Sequence, residues 1–167
     1  GPCAFLDTYI PRKVFSSIDE HGRYAYANQS AVAQWNLARL AETLAPLLDE
    51  NEDRALELAN ELISAWPVQY EVHFLDGMRR KLGLQAELPH DSRLVGDWLS
   101  LLETNSMDFT NSFRALGSIV SPKGPVKFRD NFTDIAAFDA WHASWLARLQ
   151  ADGLGSTKTM AALNAAN

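Results

Sequence analysis

From residue 31 to residue 149 the apolar residues of this chain recur at intervals of three and four, and nowhere do they alternate steadily with polar ones. A three-and-four repeat lines up side chains on one stripe of a helix, whereas a half-buried strand needs a period of two. The chain is therefore expected to be all-α, its core built from amphipathic helices. The first helix is expected from Ala31, with Val32, Trp35, Leu37, Leu40, Ala41, Leu44, Leu47 and Leu48 on a buried face. Pro46 bends or closes its end. Residues 49–52 read as a turn, with Asn51 a cap and Glu52 and Asp53 well placed at the next helix start.

A second helix carries Leu56, Leu58, Ala59, Leu62, Ile63 and Trp66, and Pro67 is expected to stop it. Pro67 suits the first turn of a third, through Tyr70, Phe74, Leu75, Met78 and Leu82 to Gly83. Residues 85–92 read as a loop. A fourth helix over residues 93–104 turns Leu94, Val95, Trp98, Leu101 and Leu102 inward. Ser106 or Asp108 begins a short fifth one bearing Phe109, Phe113, Leu116 and Ile119. Residues 121–131, with two prolines and a glycine, read as a loop. Phe132, Ile135, Phe138, Trp141, Trp145, Leu146 and Leu149 mark a sixth helix closed by Gly153, and the Ala-rich tail from Ser156 is expected to be helical. Residues 1–29 lack any period and are broken by Pro2, Pro11 and Gly22. They form an irregular arm ahead of one globular helical unit, residues 30–167.

Composition narrows the function. The 167 residues suffice for one core without metal or disulfide staples. A formal charge of −6 argues against a nucleic-acid partner, and Arg79, Arg80 and Lys81 are the longest basic run. Cys3 is the single cysteine, so no internal disulfide exists within these residues. No stretch reaches the ~20 apolar residues of a membrane span, and the start lacks a secretory pattern. A cytoplasmic protein with no membrane partner is expected.

The four histidines, His21, His73, His90 and His142, have no zinc-site spacing. His73 and Asp76 lack a third ligand. Asp19 and Glu20 beside His21 read either as a carboxylate–histidine site or as a solvated turn. Cys3 has no neighbour to lower its pKa. Ser16 and Ser17 have no nucleophile-elbow surroundings, and the two prolines at 122 and 125 spoil a phosphate loop. The tryptophans at 35, 98, 141 and 145 fall on predicted buried faces. These residues assign no catalytic, nucleotide-binding or metal-binding position.

The densest polar segment lies just before the first helix, where His21, Arg23, Tyr24, Tyr26, Asn28 and Gln29 crowd into nine positions. Loops so rich in donors and rings often adjoin function. The run Gly22-Arg23-Tyr24-Ala25-Tyr26, then Asn28-Gln29, followed by Gln34-Trp35-Asn36-Leu37 and Arg39-Leu40-Ala41, resembles the SelO (YdiU) protein adenylyltransferases, which carry GRYAY-x-NQ and QWNL-x-RLA stretches. Tyr70, Gly77-Met78 and Lys81-Leu82-Gly83-Leu84 are similar to a later family segment. So are Asp108-Phe109-Thr110-Asn111 with Phe113-Arg114-Ala115-Leu116, and Trp141, Trp145 and Arg148-Leu149. The likeness covers nearly the whole chain, in order.

That resemblance implies a bilobal kinase-like enzyme using ATP with Mg²⁺ or Mn²⁺ to move AMP onto Ser, Thr or Tyr hydroxyls of protein substrates. In the family, the base and metal ligands lie in NTDN-type and DYGP motifs, and Gly1-Pro2 is similar to the tail of the latter. By this likeness the chain is a C-terminal fragment: an activation-segment-like arm, then the helical C-terminal part of a kinase-like C-lobe. It would need an N-terminal kinase-like partner portion, bind neither ATP nor metal alone, and be inactive alone. The family's last segment, with its Cys or selenocysteine, has no counterpart. His21 and Arg23 are candidates for contact with the cleft or substrate, with simple bracing an open alternative. Tyr24, Tyr26, Asn28, Gln29 and Trp35 are expected to brace. Two other readings remain: a stand-alone helical interaction module, or a relative using UTP. An apolar face left bare by a missing lobe implies dimerisation through it.

Overall fold

A computed structural model describes residues 5–120, 126–153 and 163. Among these, a 3₁₀ turn at Tyr26–Asn28 leads into helix α1, Gln29–Leu48, followed by α2, Glu52–Lys81, α3, Asp91–Thr104, and α4, Phe109–Ile119. A single turn, α5, Val126–Arg129, precedes α6, Ile135–Ala151. The expected helical tail, Cys3 and the Gly1-Pro2 pair lie outside the described residues, apart from a helical Leu163. Residues 5–25 hold no helix, and their one ladder-type pairing is an isolated bridge between Thr8 and Asp108.

Contacts divide the chain into two units, one containing Pro11–His73 and the other Phe5–Ile10 with the chain from Phe74 onward. In the first, α1 and α2 exchange side-chain bonds. The predicted break at Pro67 does not occur, because α2 runs through it. Proline removes the N–H that should reach the carbonyl four residues back, which is Ile63. That carbonyl instead accepts from Gln34 Nε2 of α1 at 3.1 Å. In return Trp66 Nε1 donates to the Ser30 carbonyl at 3.2 Å. A substitute donor from the neighbouring helix thus offsets part of the proline's cost. Asn51 caps α2 as expected, its side chain accepting from Arg54 N at 2.9 Å.

The second unit has the aromatic core. Trp98 and Trp145 are fully buried, and Trp98 stacks on Trp141 with centroids 4.2 Å apart. Trp141 and Trp145 each turn the indole N–H to a carbonyl, Leu94 at 3.0 Å and Leu82 at 2.9 Å, which fixes α6 against α3 and the end of α2. The Trp98 indole N–H has no partner among the described residues. Helix α2 ends in a Schellman motif: Leu84 N reaches Arg79 O at 2.9 Å, Gly83 N reaches Arg80 O at 3.0 Å, and Gly83 has φ +74°. Helix α3 ends the same way, through Met107 N to Leu102 O and Ser106 N to Glu103 O, but with a serine at φ +51° in the glycine position. Ser106 therefore ends α3, and Asp108 begins α4, its carboxylate accepting from Asn111 N at 2.7 Å. The loop expected at 121–131 contains the α5 turn in its described part.

Arg148 ties down the loop between α2 and α3. Its guanidinium donates to Asp91 Oδ1, Asp152 Oδ1 and the Ala86 carbonyl, each at 2.7 Å. Asp152 also accepts from Gln85 N at 2.7 Å, and Asp91 from Leu88 N at 2.9 Å. The pair with Asp91, then with Asp152, holds Arg148 above its ordinary pKa. Burial pushes Asp152 upward, but the Gln85 N–H and Arg148 together outweigh it and its pKa lies below the usual carboxylate value.

Candidate functional site

The polar segment before α1 folds on its own backbone. Successive turns bring Asp19 N to Ser16 O at 3.1 Å and Gly22 N to Asp19 O at 3.2 Å. Gly22 sits at φ +66°, a left-handed conformation that L side chains rarely adopt. Both carboxylate oxygens of Asp19 accept backbone N–H groups, of Arg23 and Tyr24, each at 2.8 Å. Of the two readings of the acidic pair beside His21, Asp19 serves as the acceptor of the turn. An aspartate ahead of a turn glycine carries that signal in sequence, because Asp side chains readily bond backbone N–H groups just downstream.

Two amides finish the loop. Asn28 Nδ2 donates to Gly22 O at 2.8 Å, and Gln29 Nε2 donates to Tyr24 O at 2.6 Å. The backbone of Tyr26 and Ala27 returns to Lys13 and Pro11, at 3.0 and 2.8 Å, so residues 11–29 close into one unit. Tyr26 is half-buried, and burial first, then the neighbouring Tyr70, pushes its hydroxyl pKa up.

Outside this frame stands a cation–aromatic cluster. The Arg23 guanidinium lies 4.5 Å from the Trp35 ring centre and 5.7 Å from that of Tyr24, while Arg39 approaches Trp35 at 5.4 Å. Arg39 also pairs with Glu42 at 2.6 Å, whereas Arg23 has no carboxylate partner among the described residues. Its ring stacking leaves the planar donor edge free for an anion. His21 is exposed and joins no bond of the loop. Beside the cluster a cavity of about 390 Å³ opens between the loop and α1, lined by Phe15, Asp19, Tyr24, Gln29, Val32 and Asn36 among others.

Trp35 is 49% exposed and α1 buries no residue at all, so the predicted buried face of the first helix is corrected. Periodicity states what a helix offers for burial, and the described elements cover that face of α1 only in part: Val32, Leu37 and Ala41 are half-buried, while Leu40, Leu44, Leu47 and Leu48 stay exposed. Trp98, Trp141 and Trp145 are buried as expected. Asp76 pairs with Arg80, not with a metal site at His73, and His142 stacks on Phe138 and meets the Ile119 carbonyl at 3.1 Å. No group of three or more His, Cys, Asp or Glu side chains among the described residues is placed to hold a metal. None of the described helices is long and apolar enough to cross a membrane.

The described residues thus form an all-α protein in which a polar, cation-bearing loop, shaped by its own short-range bonds, precedes a largely exposed helix. The chain belongs to the family described as protein adenylyltransferase SelO, which matches residues 1–167. It is 44% identical over its full length to the protein nucleotidyltransferase YdiU of Bradyrhizobium diazoefficiens and 46% identical to that of Nitrobacter hamburgensis. The YdiU protein of Geobacillus kaustophilus is 47% identical over 92% of the chain. The chain spans about a third of the length of these relatives, covering 34%, 33% and 31% of them. Full-length members of the family are thus named as nucleotidyl-transferring enzymes.

Proposed function

We propose that the chain is part of an enzyme that transfers AMP from ATP to Ser, Thr or Tyr hydroxyls of proteins, the hydroxyl oxygen displacing pyrophosphate from the α-phosphorus. The observation that carries this reading is the family match over every residue of the chain, including the loop with Arg23 and the helix with Trp35. In this reading residues 1–29 are the counterpart of a kinase activation segment and residues 30–167 the helical part of a kinase-like C-lobe. The remaining length, which in this reading carries the family's NTDN-type motif and the Asp of DYGP, supplies the ligands for ATP and for Mg²⁺ or Mn²⁺. Among the described residues no group of three or more His, Cys, Asp or Glu side chains is placed to hold a metal.

Within that enzyme Asp19, Tyr24, Tyr26, Asn28 and Gln29 hold the loop in shape, and Trp35 carries Arg23. The Arg23 edge is offered to a phosphate of the nucleotide or to an acidic group on the protein substrate, with His21 beside it in sequence. Charge-assisted bonds of a guanidinium to such oxyanions are among the stronger polar contacts available.

Labelling tests the reading directly. Family-length protein containing this sequence, incubated with ATP labelled at the α-phosphate and a divalent metal, is expected to modify protein hydroxyls, while residues 1–167 alone transfer nothing. Label transferred by the isolated chain would refute the division of labour. Preference for labelled UTP over ATP in direct competition would replace AMP by UMP.

A further inference from the structure

The catalytic reading gives no role to the outer face of α1 and the first half of α2. On α1, Leu40, Leu44, Leu47 and Leu48 fall at helical spacing on one face, and they are 52%, 40%, 81% and 39% exposed. On α2, Leu56 and Leu62 are 44% and 68% exposed. Each such leucine forgoes a large part of the roughly 1.5–3 kcal/mol that full burial supplies. Single exposed leucines are ordinary, but several on one helix face mark an interaction surface.

Charge is concentrated in the same place. Residues 42–71 contain eight carboxylates and one cation, Arg54, for a net −7, so the rest of a −6 chain carries +1. Arg54 is already paired with Glu57 at 2.9 Å, and Glu42 with Arg39. Glu50, Glu52, Asp53 and Glu61 are exposed with no ion-pair partner among the described residues. The stretch of chain that carries the apolar stripe is thus strongly negative.

We propose that this face docks a cationic amphipathic helix of a partner protein, the leucine stripe taking its apolar side and the carboxylates its Lys and Arg residues. The stripe from Leu40 to Leu48 is about 12 Å long at 1.5 Å per residue, which matches two turns of a partner helix with anchors at i, i+4 and i+7. A second copy of the chain is disfavoured as the occupant. It would bring one −7 segment against another, and like charges brought together at an interface cost several kcal/mol. The proposal does not depend on the catalytic reading.

The probe is a labelled Leu/Lys amphipathic peptide of about 18 residues, five helical turns, compared with a scrambled peptide of the same composition. The chain is expected to bind the amphipathic peptide at least tenfold more tightly than the scrambled one, and less tightly as salt rises. Leu44→Ser with Leu47→Ser should weaken binding about tenfold or more, as loss of two buried apolar anchors implies. Glu57→Lys with Glu61→Lys should weaken it by a separate route, leaving the apolar stripe intact. All these positions are exposed, and circular dichroism checks that the variants keep their helices. Equal binding of the two peptides, or leucine variants that bind as well as the parent, overturns the proposal. So does a dimer of the chain that the leucine variants abolish, which makes a second copy the occupant. Failure of the family-length protein to bind the peptide, while residues 1–167 do, assigns the face to the protein's own remaining length and equally refutes a separate partner.

Discussion

Replacing Arg148 by methionine keeps much of the side chain's apolar length but removes the charge that joins Asp91, Asp152 and the Ala86 carbonyl. The side chains of Asp91 and Asp152 are only 2% and 1% exposed, and that of Arg148 10%. Two nearly inaccessible carboxylates would be left with backbone N–H groups as their remaining partners. Removing one member of a buried ion pair costs roughly 3–5 kcal/mol. Several partners, including the backbone of Gln85 and Ala86, lie at the exposed edge of the unit, so the lower end, about 3 kcal/mol, is expected. That is a large share of the roughly 5–15 kcal/mol that holds a domain folded.

The sign of the pH dependence follows from Asp152. In the parent its folded pKa lies below the unfolded value of about 3.9, so its stabilisation is present above that value and disappears as pH falls through the lower, folded one. Without Arg148 the cation's attraction is lost, and burial, the largest influence on this carboxyl, is opposed only by the backbone donors. Protonation then relieves the variant as pH falls into the acidic range, and the stability gap should narrow. Urea unfolding followed by tryptophan emission, which samples Trp141 and Trp145 on the same helix, measures both quantities. A gap below about 1 kcal/mol, the size of an ordinary surface pair, or one that does not change between neutral and acidic pH, would refute the argument.

Gln34→Ala should cost about 1–3 kcal/mol by orphaning the Ile63 carbonyl. The cost should fall toward zero in a Pro67→Ala background, where residue 67 regains its N–H, and a double-mutant cycle that finds the two changes additive rejects the link. Ser106→Gly is expected to stabilise the second unit by about 0.5–1 kcal/mol, because it relieves a left-handed serine in the α3 C-terminal motif. A fall in melting temperature would count against that account. Asp19→Ala should speed hydrogen exchange at the Arg23 and Tyr24 amides while global stability changes little, and unchanged exchange there would show that the loop does not depend on this carboxylate. Because burial, aided by Tyr70, raises the Tyr26 pKa, stability should decline as pH climbs from about 10 through that higher value. Tyr26→Phe should flatten the decline, which alkaline unfolding curves will show.

Periodicity, caps and breakers in the sequence determined that the described chain is helical and where most helices start and stop. Asn51, Gly83, Asp108 and Gly153 act through their own backbone neighbours, so their signals are local and legible. The loop from Asp19 to Gln29 is of the same kind: every bond that shapes it spans six residues or fewer, apart from the returns to Pro11 and Lys13. What the tertiary structure alone decided depends on partners far away in sequence. Pro67 looked like a stop until Gln34, 29 residues before Ile63, supplied the missing donor. Arg148 reached Asp91 across 57 residues, a pairing no spacing rule announces. Above all, the sequence showed that α1 has an apolar face, but not that the face stays open. A stripe of leucines encodes the free energy available from burial, and only the surrounding structure determines whether anything is there to cover it.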